Sequence, residues 1–139
     1  MTQDMRDVKV QDLSGAALDW AVARAEVIQV GIICPAIIDE NNRPALLLNK
    51  QKWLAGLDTA RLWEPSTNWA QIGPLMQRHL VEFTIEHRHT ICAGLCDENG
   101  LMVGGYQYGD THLVAACRAI VAHEFGDTVQ VPAALLEVE

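Results

Sequence analysis

Basic side chains are scarce in this sequence: ten Lys and Arg stand against eighteen Asp and Glu, a formal charge of −8. A net-negative surface repels a phosphate backbone, so direct binding of DNA or RNA is not expected. The bases are also scattered, and only Lys50, Lys52 and Arg61 fall near one another. Long apolar runs are missing too. The longest uncharged apolar stretch, Val30 to Ile38, has nine residues and contains Gly31 and Pro35, whereas a bilayer crossing needs about twenty. The segment Met1 to Val10 alternates in charge and lacks the apolar centre of a signal peptide, so the expected compartment is a cytoplasm. There is no Gly-rich phosphate loop, no nucleophile elbow and no dense set of metal-ligating residues. The four cysteines, at 34, 92, 96 and 117, have apolar neighbours and read as small core residues of a reducing compartment.

What is there suffices for a core. Half of the 139 residues are apolar and one fifth are charged, which fits a single domain over residues 1–139. Tryptophans at 20, 53, 63 and 69 add large apolar surfaces. Asp12 or Ser14 can cap a first helix, with Leu13 stapled onto Leu18. Leu13, Ala16, Ala17, Trp20 and Val27 fall on one side of it and Gly15, Asp19 and Glu26 on the other, so the spacing predicts a helix over 14–27. The β-branched stretch Val27 to Ile38, the turn residues Asp39 to Pro44 and the apolar run Ala45 to Leu48 read as a hairpin. Gln51 to Trp63 holds no clean period, although Trp53, Leu54 and Leu57 fit a short helix.

Further along, Pro65 keeps the chain extended while Ser66, Thr67 and Asn68 compete to cap a second helix, in which Trp69, Ile72, Met76 and Leu80 recur at helical spacing. Pro74 either kinks that helix or opens its main part. Three extended runs follow, 82–87, 91–96 and 101–108, and predict an antiparallel meander. A last helix opens at Asp110 or Thr111 and stops at Gly126; it buries Leu113 or Val114, Cys117, Ile120, Val121 and Phe125. Its Ala115, Ala119 and Ala122 form a smooth strip on which another element can pack. The tail Thr128 to Pro132 is extended and runs along the domain edge.

Three segments, LSGAALDWAVARAE (13–26), PSTNWAQIGPLMQR (65–78) and AACRAIVAHEFGDTVQVP (115–132), together resemble the phage NinX-like family of small proteins. The Pro-Ser-Thr-Asn opening and the late Thr-x-x-x-Ala-x-x-Arg helix are also similar to a wider phage α-β-α sandwich domain. The resemblance implies an α+β fold: an antiparallel sheet of about five strands covered by three main helices. It implies an accessory protein of a phage or prophage working inside a bacterial cell. It carries over no catalytic residue and no cofactor. Where the family pattern leads one to expect Gly-Gly-Pro, this chain has Ile72, Gly73 and Pro74, and Asn41 to Trp63 matches nothing in the pattern.

The motif positions Trp20, Ser66, Thr67, Asn68, Trp69 and Arg118 are the candidates for contact with a partner, each weighed against a structural role. Packing is the preferred role for the tryptophans and capping for Ser66 and Thr67. His87, His89, Cys92 and Cys96 suggest zinc by residue type, yet an extended Cys92-x-x-x-Cys96 separates the sulfurs by roughly 13 Å, too far for one tetrahedral shell. His112 and His123 sit five residues before and six after Cys117, offsets that point away from it on a helix. Asp19 with Glu26, and Asp39 with Glu40, read as solvated carboxylates. The expected activity is therefore protein binding without catalysis, to a host or phage protein or to a second copy in a homodimer, with the alanine strip as one contact surface. Two alternatives stand beside it: an acidic mimic that occupies a host enzyme's nucleic-acid site, and a small-molecule or metal-binding enzyme with a pocket floored by Trp53 or Trp63 and reached by His87 or His89.

Overall fold

The computed structural model describes residues 4–33, 45–48 and 61–136. Trp53, Cys34, the bases Lys50 and Lys52, the turn Asp39 to Pro44 and the short helix expected near Leu57 lie outside the described residues. The class is α+β, with three helices and antiparallel strands among the described residues. The single sheet of about five strands is corrected: the described strands divide into three small sheets, of two, three and three strands.

The first sheet is a ribbon of β1 (Met5–Lys9) and β8 (Thr128–Pro132), in register from Met5 opposite Pro132 to Lys9 opposite Thr128. The tail is the extended edge that its composition predicts, and its partner β1 is a strand that the sequence pattern does not mark. Only Met5 and Val8 are apolar in β1, too few to show an alternation, and burial is supplied by Val129 and Val131 of β8. The second sheet joins β2 (Val30–Ile33), β3 (Ala45–Leu48) and β4 (Arg61–Leu62), so the predicted hairpin pairing forms with Val30 opposite Leu48. The third is the predicted meander: β5 (Val81–His87), β6 (Thr90–Cys96) and β7 (Met102–Gly109).

Helix α1 (Gly15–Ala25) lies within the predicted span, with Ser14 at its cap position but making no side-chain cap bond. Helix α2 (Trp69–His79) is capped by Asn68, whose side chain accepts the Ala70 N–H at 2.9 Å, which settles the competition with Ser66 and Thr67. Pro74 sits inside this helix. It leaves the carbonyl of Ala70, four residues back, without an N–H partner, and Ala70 is exposed so water can serve it. Helix α3 (His112–Phe125) opens on Thr111, which accepts the Val114 N–H at 3.1 Å, and ends at Gly126 with φ +88°.

Helix α3 covers β6 and β7, and Gly109 permits the approach: a Cβ there would come within 2.5 Å of the Ala115 backbone nitrogen. The core gathers Leu13, Leu18 and Val22 around Ile72, Ile120 and Val131, all essentially inaccessible. Two expectations for α3 are corrected. Phe125, the last residue of the helix, is 37% exposed. Ala115 and Ala119 are buried within the chain itself and Ala122 is half-buried against the core, so most of the alanine strip is consumed by internal packing. At Tyr108 the outer edge of β7 is paired by a side chain: the Gln11 amide donates to the Tyr108 carbonyl at 2.9 Å and accepts its N–H at 3.0 Å, as a neighbouring strand would.

Candidate functional site

Most of the polar side chains singled out from sequence are spent on holding segments together. Asp19 is buried: its carboxylate accepts the Ser66 N–H at 2.8 Å, and its carbonyl accepts the Trp63 indole N–H at 2.8 Å. Burial raises its pKa to about 7, against the opposing effect of the Ser66 hydrogen bonds, and nearby Glu64 pushes the same way as burial. The solvated reading of Asp19 is thus overturned. So is that of Glu26, whose side chain is 2% exposed and receives both Arg78 and the His79 Nε2, the latter at 2.6 Å. These carboxylates lie inward because α1 must be fastened to the Trp63–Ser66 strap and to α2. Their partners are some fifty residues away in sequence, so a helical period could not reveal them.

Ser66 is buried in the Asp19 contact, Thr67 donates to the Glu64 carbonyl at 3.3 Å, and Asn68 is the α2 cap. Arg118 sends Nε and Nη2 to the Leu13 carbonyl, at 3.0 and 2.8 Å, and Nη1 to that of Tyr108 at 2.6 Å. Its partial burial lowers its pKa. These four motif residues therefore have structural duties. Trp63 is buried, whereas His87 and His89 are exposed on the hairpin between β5 and β6.

The described cysteines are not activated. Burial, with neighbouring carboxylates, pushes the thiols of Cys92 and Cys96 up, and burial holds that of Cys117 well above its usual value; a nucleophile needs the opposite shift. Among the described residues, no group of three or more His, Cys, Asp and Glu is placed to hold a metal ion.

The two tryptophans of the motif helices end up at the surface. Trp69, expected in the core, is 58% exposed. Its ring centroid lies 6.2 Å from that of His112 at the start of α3, which in turn meets Phe83 of β5 edge-on at 4.9 Å. Ile85, two residues beyond Phe83 on the same side of the strand, is 63% exposed. The result is an aromatic ridge shared by α2, α3 and β5. Trp20 of α1 is half-buried beneath Arg24, whose guanidinium lies 5.5 Å from the indole centroid.

Fold and surface together define a small α+β protein in which Asp19, Glu26 and Arg118 fasten distant segments and Trp69 stays exposed. The chain belongs to the Bacteriophage P22 NinX family, whose model matches residues 9–124. Comparison with curated proteins returns no match. Among the described residues, no helix is long and apolar enough to cross a membrane.

Proposed function

We propose that this NinX-family chain works in the bacterial cytoplasm as a phage accessory protein, one domain over residues 1–139, that binds a protein and performs no chemistry of its own. The observation that carries the reading is the exposure of Trp69 on a ridge with His112 and Phe83. A helix that only had to cover a core would turn this indole inward, and tryptophan is the residue type that most often dominates binding energy at interfaces. The ridge is aromatic and rests on three elements, so it is presented with little conformational entropy to lose on contact.

The test compares the wild-type chain with Trp69→Ala, each tagged and captured from the native host, with light scattering on the purified proteins. A hot-spot indole contributes about 2 kcal/mol, so capture of the partner, or dimer formation if the partner is a second copy, is expected to weaken roughly 30-fold. Equal recovery and equal mass for both proteins would overturn the reading.

A further inference from the structure

Trp20 belongs to a surface distinct from the Trp69 ridge. The exposed flank of α1, the end of α3 and the β1–β8 ribbon enclose a groove of about 470 Å³, within the range of small-molecule sites. Val129 forms its buried floor, and Trp20, Phe125 and Met5 form apolar walls. The partial exposure of Phe125, which the helical period placed in the core, is explained by this position.

The charge of the groove is opposite to that of the molecule. The chain carries −8 overall, yet Arg24 is the one charged side chain among the described lining residues. Arg24 forms no ion pair among the described residues, and the nearest acid after it on the chain, Glu26, is held by Arg78 and His79. Its guanidinium lies over the Trp20 ring, and a second groove of about 270 Å³ opens along the other flank of the same two residues. Thr128 and Gln130 add a hydroxyl and an amide to the larger groove's rim. Met5, Phe125 and the β8 residues lie outside the family-matched span, so most of this wall is contributed by the chain's own ends.

We propose that this groove binds a small planar aromatic anion, its ring between Trp20 and Phe125 and its acid group on Arg24. Aromatic walls favour a flat ring in offset or edge-on contact. The planar guanidinium favours a carboxylate or similar anion, which it can grip through two N–H groups. A neutral ring would use the walls alone, and a cation would meet Arg24 at close range.

The full chain is titrated with 2-naphthoate and, separately, with the neutral 2-naphthylmethanol, by calorimetry and amide-resolved NMR. Saturable one-to-one binding of naphthoate is expected, with shifts concentrated at Trp20, Arg24 and Thr128 to Gln130. Arg24→Gln, an exposed helix position, is expected to weaken naphthoate about tenfold and leave naphthylmethanol unchanged. Phe125→Ala is expected to weaken both. No naphthoate binding at about 1 mM, binding indifferent to Arg24→Gln, or shifts centred elsewhere would each overturn the proposal. None of these variants touches the Trp69 ridge, so the outcome is independent of the protein-binding reading.

Discussion

Trp63 and Trp69 stand six positions apart and meet opposite fates. Trp63 lies inside, its indole N–H satisfied by the Asp19 carbonyl, while Trp69 begins α2 on the surface with His112 as its neighbour. Both have the same apolar area to hide, so hydrophobicity alone does not sort them. The difference is the partner: α1 offers a carbonyl and a carboxylate to the strap that carries Trp63, and no element covers the first turn of α2 among the described residues. A tryptophan with its polar handle satisfied can be buried fully; one left uncovered stays exposed.

The sharpest way to break this comparison is to truncate each indole. Trp63→Ala is expected to cost about 3–5 kcal/mol in urea denaturation, from lost burial, a cavity and an orphaned carbonyl. Asp19 gives the next effect, and it depends on pH. Because burial raises its folded pKa to about 7 from 3.8, the folded chain holds this proton more tightly than the unfolded one. Its contribution to stability is therefore fully present below about pH 4, falls as pH rises towards 7, and is level above that. Asp19→Asn keeps an acceptor for the Ser66 N–H, so it is expected to flatten the profile. At pH 8 the variant should be more stable than wild type by on the order of 4 kcal/mol, and at pH 4 about equal. A wild-type melting temperature that does not fall between pH 4.5 and 8 relative to the variant would contradict the buried carboxyl.

Smaller still is the effect of Glu26→Gln, which removes the charge facing Arg78 and His79. Arg78 is largely exposed, and solvent screening reduces the expected loss to about 1 kcal/mol by thermal melting. The smallest effect on folding is that of Trp69→Ala, expected within about 0.5 kcal/mol of wild type. That small value, set beside the large loss at Trp63, measures the contrast between the two indoles directly.

How much of this was legible in the sequence follows from where the partners lie. The helices, the hairpin pairing and the meander could be read because their signals are local: Thr111 and Gly126 bracket α3, and the apolar run Ile91 to Leu95 marks the central strand β6. Strand β1 was not legible, since its reason for being a strand is β8, more than a hundred residues later. Asp19 and Glu26 were read as solvated for the same reason, the identity of Ser66, Arg78 and His79 as partners being a tertiary fact. Of the motif residues, Ser66, Thr67, Asn68 and Arg118 carry structural duties, Trp20 is half-buried against the core and Trp69 is displayed. The groove at Arg24 had no sequence signal, because its walls come from both ends of the chain.

One fastener has a consequence for the motions of the molecule. The Arg118 guanidinium grips the carbonyl ahead of α1 and the carbonyl at the end of β7 while being itself part of α3. Because both acceptors are neutral carbonyls rather than acids, acidification does not release this grip. None of the three pieces can fray without stripping hydrogen bonds from the others, so their slowest amides should exchange with deuterium at one common rate, as a single cooperative unit.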